Sequence, residues 1–414
     1  MNGRNNFFIM NSQEKKSFFY IFEEILLNLL LVSVFLIPAI KINESYPTIQ
    51  ISDFLSFFFI ILLFLKYKNI FSYNSYIKFL ILFSIYIFIV IILNNRLRQY
   101  RDYFEIMKII KFGFVFIYIT FTNCNIDFAK SLRVIFIGLL IFNLFHYLDI
   151  FGFNHIIEPF YSNHEQLDYF GLNTLGQTDV KRMLGTMGNP NNNSILFLFF
   201  AILFMPTKKS KIKDNIFFFL SYISILMCES RTGIVAFFVI FVLAIFLNKY
   251  KGKQIIIWFL LFISFYILLW QVEVTGYLSS LSSYKIVQSH SVKGRLEVWK
   301  HLWDMRKQKP IFGYGPYKEY FYENNLYSES EYILMTWRYG FIGLVLYILW
   351  IITPAFRAFK NTDNIASVRL ILFSLVILIT AITNNPLMEP RILVMFAIFI
   401  GLFYRSSKFS MKTL

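Results

Sequence analysis

Three arginines stand in polar stretches between long apolar runs. Arg182 lies in DVKRMLGTMGNPNNNS, Arg231 in CESRTG, and Arg295 in GRLEVWKHLWDMRKQKPIFGYGPY. A guanidinium stays charged at every working pH and grips phosphate oxygens in pairs, and Arg182 lies where it could join an anion site. A fourth stretch, SESEYILMTWRYGFIG, offers Glu329 and Glu331. Either carboxylate can serve as a general base toward a hydroxyl or orient a sugar. Either can equally be a helix N-terminal charge that complements the dipole. Glu229 beside Arg231 reads as a local ion pair closing a tight hairpin, or as part of the chemistry.

The stretch NNRLRQYRD, Asn94–Asp102, adds Arg96, Arg98 and Arg101. Arg98, Arg101, Glu105, Lys108 and Lys111 continue at helical spacing into the next apolar run. Ionisable groups at the edge of a membrane span face a cavity or a partner, which makes Arg98, Arg101 and Lys108 candidates for an anionic ligand. The alternative is a solvated helix end with snorkelling side chains. Lys181 and Arg182 precede Gly185 and Gly188, and Asn189-Pro190 marks a turn. Asn191 to Ser194 are N-cap candidates, and a helix N-terminus there would offer N–H groups to an anion. Asn191 is therefore both a cap candidate and a binding candidate.

In the stretch after Gly294, Leu296, Trp299, Leu302, Trp303 and Met305 form an approximately helical apolar stripe. Such a helix can lie along a membrane interface. Arg295 and Trp299 share one face, and Gly313, Tyr314 and Gly315 follow Pro310 in a turn suited to close approach. Gly340 and Gly343 read as a helix-packing pair, and Gly233 as a close-packing position. The five histidines show no metal-ligand spacing, there is no D-x-D pair, and Glu329-Ser330-Glu331 alone is weak evidence for a metal. No phosphate-binding G-x-x-x-x-G-K-[ST] loop is present, which argues against an internal ATPase.

These residues need a membrane scaffold. Of 414 residues 57% are hydrophobic and 20% aromatic, in runs near the span length of about 20 residues. The expectation is an all-α, polytopic membrane protein forming one domain over 1–414. About twelve spans are expected, near 21–40, 53–66, 77–93, 104–122, 131–150, 192–206, 215–229, 232–248, 254–270, 332–353, 367–384 and 390–405. No cleavable signal peptide or internal repeat is expected. The charge of +16 is read as retention of basic inner loops, not as nucleic-acid binding. Both termini then lie in the cytoplasm, and two long loops, 151–191 and 271–331, lie outside. Cys124 and Cys228 suggest neither a disulfide framework nor a zinc site.

GTMGNPNNNS, SRTG, the run from Arg295 through Trp299 and Pro310 to Gly313-Tyr314-Gly315, and YILMTWRYGFIG occur in an order that resembles the O-antigen polymerase and ligase family of bacterial envelope glycan assembly (Wzy-like and WaaL-like proteins). The resemblance implies a GT-C-like, metal-independent glycosyltransferase without a cofactor, in the cytoplasmic membrane and acting at its outer face. Its donor would be an oligosaccharide on undecaprenyl pyrophosphate. Membrane lipid, a chain-length regulator and a flippase would be its partners. Arg182 and Arg295 match the family's functional arginines by position, with Arg231 a third candidate. Ligases carry a His-Asn pair where this chain has Glu329-Ser330, which favours a repeat-unit polymerase over a ligase. The product would be O-antigen, capsule or another exopolysaccharide. A lipid-linked oligosaccharide flippase is the alternative from another class, but it calls for charges spread through the spans.

Overall fold

Apolar runs of this length have one economical answer in lipid, because a helix satisfies its own backbone polar groups. The computed structural model of the chain describes residues 18–37, 50–66, 75–122, 128–154, 182–207, 212–248, 290–324 and 328–412, with a few isolated positions between them. Among these residues there is no strand. Thirteen helices follow in order. They are α1 (Phe18–Phe35), α2 (Ile51–Lys66), α3 (Ser75–Leu93), α4 (Phe104–Phe121), α5 (Phe128–Leu148), α6 (Pro190–Phe204) and α7 (Ile212–Met227). Then come α8 (Arg231–Asn248), α9 (His290–Arg306), α10 (Lys318–Glu323), α11 (Glu331–Phe359), α12 (Ile365–Thr380) and α13 (Pro390–Lys412).

Three of them contain stretches long and apolar enough to cross a membrane: Ser75–Leu93, Lys130–Leu148 and Glu331–Phe359. Ile51–Leu65, Pro190–Phe204, Arg231–Leu247 and Ile365–Thr380 are apolar but shorter. The described residues are all-helical, with the character of an integral membrane protein. The expected span near 254–270 and most of the loop 271–331 before His290 lie outside the described residues, as does most of the loop 151–191.

Two helices form the centre. Every residue from Asn193 to Phe204 in α6 is buried, as is every residue from Arg391 to Gly401 in α13. A helix apolar on all sides must be enclosed by others. By contrast, α2 exposes Phe54, Phe57, Phe58, Ile61 and Phe64, and α11 exposes Phe341, Val345, Leu349, Ile352 and Phe356. These continuous apolar stripes face outward, as lipid-facing surfaces do.

Side-chain contacts define two ends of the bundle. At one end, Arg133 at the start of α5 meets Asp214 at the start of α7 at 3.0 Å. Arg369 there donates to the Leu203 carbonyl near the end of α6 at 2.5 Å. Arg357 near the end of α11 donates to the Tyr404 hydroxyl at 2.8 Å and to Ser75, which opens α3. The opposite end holds the turns after α3, before α6, between α7 and α8, and between α12 and α13. All the residues singled out for chemistry lie there.

The helix expected over 332–353 is present but broken. Gly340 has φ +63° and ψ −166°, so α11 breaks there. Tyr347 Oη donates to Glu331 Oε2 at 2.8 Å although 16 residues separate them. In a straight helix that separation is about 24 Å. The break folds 331–339 over the following turns and leaves 341–359, about 28 Å of helix, as the spanning part. Gly340 is therefore not a packing glycine. A Cβ there would lie 2.0 Å from the Ile311 carbonyl oxygen. Gly233 does behave as expected, since a Cβ on it would meet Ser194 Oγ at 2.5 Å.

Candidate active site at one end of the bundle

Asn189, not Asn191, caps α6. Its side chain accepts from the N–H groups of Asn191 and Asn192, and Pro190 takes the first helical position. Those donors are thus already used, which weakens the idea of an anion seated on this helix end. Relieved of capping, Asn191 offers Oδ1 to Arg182 Nη2 at 3.2 Å. Arg182 Nε donates to the Cys228 carbonyl at 3.1 Å, and Met183 N–H to the Met227 carbonyl at 3.0 Å. Arg182 is thereby strapped to the turn between α7 and α8.

That turn carries Glu229 and Arg231. The helix ends at Met227, so Glu229 sits outside it, 3% exposed and at φ +49°. This conformation is costly for a residue with a Cβ. Glu229 Oε2 has no hydrogen-bond partner among the described residues. Burial pushes the carboxyl up to about 7, and Arg182 opposes the shift only in part. Arg231 is the first residue of α8, where the helix dipole disfavours a cation.

The turn 381–389 joins these parts to the segment before α11. Asn384 Nδ2 donates to Asn192 Oδ1 at 2.9 Å, and the Asn384 carbonyl accepts from Glu331 N–H at 3.2 Å. Thr383 and Thr232 share a hydroxyl contact of 2.5 Å. Asn385 donates to the Ser328 carbonyl. Arg391 donates to the Thr186 carbonyl at 2.5 Å and pairs with Glu389 at 2.9 Å. Sequence reasoning did not single out this turn. Its signal was Asn384-Asn385-Pro386 between two apolar runs.

Arg295 on α9 and Glu329 ahead of α11 form an ion pair. Both are partly exposed, 26% and 31%. Trp299, one turn after Arg295, is half-buried, and its Nε1 has no acceptor among the described residues. Of the expected stripe, Leu302 is fully buried while Leu296 and Trp303 are exposed. Glu331 is fully buried and committed to the fold, accepting from Tyr347 Oη and from the Leu387 N–H at 3.0 Å.

Gly313, Tyr314 and Gly315 dock onto the break in α11. The N–H groups of Tyr314 and Gly315 donate to the carbonyls of Trp337 and Arg338 at 3.1 and 2.7 Å, and Phe341 N–H to the Pro310 carbonyl at 3.0 Å. Tyr314 stacks on Trp337 at 5.2 Å. Gly313 is at φ +67°, and a Cβ there would come within 2.6 Å of the Arg338 backbone. These three residues build the site's scaffold. A surface cleft of about 310 Å³ lies beside them, lined by Leu93, Asn94 and Lys309–Gly313; it is separate from the Arg182 strap and the Arg295–Glu329 pair.

In the NNRLRQYRD loop, Arg96 is the anchored residue. It pairs with buried Asp102 at 2.6 Å and lies 3.8 Å over the Tyr317 ring. Arg98 is exposed, and Arg101 lies beside the Tyr100 ring at 6.0 Å. Lys108 turns inward to Glu105 at 3.2 Å. The helical row therefore splits: its first part faces out, and Lys108 and Lys111 face in.

The arrangement gathers cations, a strained carboxyl and an arginine–carboxylate pair at one end of an apolar bundle. Residues 216–348 match the family model described as O-antigen ligase. The match covers about a third of the chain and supports the likeness of that segment to the O-antigen polymerase and ligase family. It spans Glu229, Arg231, Arg295, Trp299, Glu329 and the docked glycine turn, while Arg182 and Lys108 lie before it. The family's business is O-antigen-type glycan transfer, which accords with a membrane bundle carrying its polar groups at one end. No curated protein matches the chain.

Proposed function

We propose that this protein is a repeat-unit polymerase that joins oligosaccharides carried on undecaprenyl pyrophosphate at the outer face of a bacterial cytoplasmic membrane. The Arg295–Glu329 pair carries this reading. The basic end of the bundle, with Arg133, Arg357 and Arg369, is assigned to the cytoplasm by the positive-inside rule. The end with Arg295 then faces out, where the lipid-linked substrate is presented.

In the proposed reaction a hydroxyl of the acceptor repeat unit attacks the anomeric carbon of the donor. The new glycosidic bond forms as the bond to the pyrophosphate oxygen breaks, and the electron pair leaves with that oxygen. Arg295, with Arg182 and Arg231, stabilises the developing charge, and a water-poor site makes such fixed cations effective. As Arg295 turns to the leaving group, Glu329 loses its counter-ion and takes the proton of the attacking hydroxyl. Arginines thus do what a metal ion does in other transferases. The stretch Glu329-Ser330, in place of a His-Asn pair, favours polymerase over ligase.

The ligase reading is favoured by the description of the matching family model. Acceptor dependence separates the two. Purified protein given one lipid-linked repeat unit is expected to make a ladder of multimers. Transfer that starts only after a different, non-pyrophosphate acceptor is added would assign a ligase. A chain-length regulator and a flippase are the partners such a polymerase would work beside.

A further inference from the structure

Glu105, near the start of α4, is 4% exposed, and three cations converge on one of its carboxylate oxygens, Oε1. Lys318 Nζ lies at 2.9 Å, Lys108 Nζ at 3.2 Å and Arg338 Nη1 at 3.7 Å. One carboxylate faces three positive groups that are themselves largely enclosed. Their other hydrogen bonds go to neutral groups, Lys108 to the Met388 carbonyl at 3.2 Å and Arg338 to the Met388 sulfur at 3.5 Å, while Lys108 also feels the charge of Glu331. Arg338 Nε has no acceptor among the described residues.

The surrounding carboxylates have partners of their own. Asp102 and Glu319 pair with Arg96, Glu389 with Arg391, and Asp53 with Lys111. Glu331 is held by Tyr347 and the Leu387 N–H. An enclosed excess of cations is strongly unfavourable unless an anion completes it. Burial pulls the Lys318 ammonium down to about 8, as expected of a lysine short of counter-charge.

The fold takes trouble to build this group. Lys318 N–H donates to Asp102 Oδ1 at 3.3 Å, fixing the start of α10 against the α4 entrance. Arg338 stands two residues before the break at Gly340, and its carbonyl accepts from Gly315. The docked turn therefore delivers Lys318 and Arg338 to Glu105 together.

We propose that Lys108, Lys318 and Arg338 form a second anion seat, which holds the pyrophosphate of the acceptor repeat unit. This rests on the polymerase reading. A polymerase must hold two lipid pyrophosphates at once: the donor's leaves, and the acceptor's stays intact. Two such anions repel, so each needs its own cations. A ligase whose acceptor lacks pyrophosphate has no need of the second seat.

The test uses the purified full-length protein in detergent and farnesyl pyrophosphate as a soluble probe, with binding followed by calorimetry. Wild type is expected to bind two equivalents. Lys318→Met should bind one, with the fold kept, because Glu105 retains Lys108 and Arg338; the thermal midpoint checks this. Arg295→Ala should lose the other equivalent. In the polymer assay, Lys318→Met should raise the acceptor KM about tenfold or more while the donor KM stays within about twofold. One equivalent in wild type, two in Lys318→Met, or a donor KM that rises with the acceptor KM would overturn the seat. If wild type makes no polymer, the polymerase reading fails, and the binding count still decides whether the seat exists.

Discussion

Arg295 and Glu329 neutralise each other across the gap between α9 and the segment that leads into α11. They are 34 positions apart in sequence, on stretches read separately as phosphate-binding and as base-bearing. Their pairing gives each a reason for its place. The carboxylate gives the guanidinium a fixed partner, and the guanidinium gives the carboxylate a counter-ion. In the proposed reaction an anionic substrate would compete for Arg295 and free Glu329.

If the pair is chemical and not merely structural, restoring the contact will not restore activity. The reversed pair Arg295→Glu with Glu329→Arg should recover the thermal midpoint lost by either single change. Its transfer rate should stay about two to three decades below wild type. Recovery of transfer in the reversed pair would make the contact structural only.

The Gly340 break makes a second prediction. Gly340→Ala places a Cβ where the Ile311 carbonyl stands and forces a side chain onto φ +63°. The docked turn must shift, at a cost of several kcal/mol. Low yield and a depressed thermal midpoint are expected. Gly294→Ala is the control, because nothing lies within 4 Å of its Cβ position. It removes a glycine from the exposed start of α9 and should stabilise that helix by up to about 1 kcal/mol.

Much of this was legible in the sequence, and the limits are instructive. Apolar run lengths gave most helices, and basic residues such as Arg133 and Arg357 marked one end, because both signals are local. Arg182, Arg295 and Glu329 were legible as residue types suited to phosphate and hydroxyl chemistry. The ion pair was not, because it depends on how α9 returns to α11. Gly340 looked like a packing glycine because its spacing to Gly343 fits a helix; only the docked Gly313–Gly315 turn reveals a break. Asn191 was a fair cap candidate by type, but Pro190 at the first helical position makes Asn189 the cap. Arg338 lies within YILMTWRYGFIG but, like Lys318, was not singled out there, and their convergence on Glu105 is purely tertiary.

The NNRLRQYRD loop separates the anchored Arg96 from the exposed Arg98 and the half-buried Arg101. Arg96→Ala leaves Asp102 buried without its cation and should cost about 3 kcal/mol. Arg98→Gln should leave the thermal midpoint unchanged, since Arg98 is exposed. If Arg98 and Arg101 guide the anionic substrate, the double change to Gln should lower polymer yield without touching stability. Unchanged yield would assign the two residues to a solvated loop.

Glu229 sets a pH dependence of stability. Its folded pKa is raised from the ordinary carboxyl value near 4.5 to about 7, with Arg182 the opposing cation. The folded state therefore holds a proton that the unfolded state releases. The resulting stabilisation is full below about pH 4.5 and is lost as pH rises through 7. Thermal midpoints of wild type should fall more steeply over that window than those of Glu229→Gln. Equal slopes would show that Glu229 does not titrate there.

The most direct test of the account is a single-turnover assay on purified protein with one labelled lipid-linked repeat unit and no other acceptor. Wild type should convert the unit to dimers and longer products, releasing lipid pyrophosphate in step. Arg295→Ala, shown to be folded, should slow that release by about two to three decades. Dimer formation at the wild-type rate in Arg295→Ala would contradict the central claim, that this arginine stabilises the departing pyrophosphate.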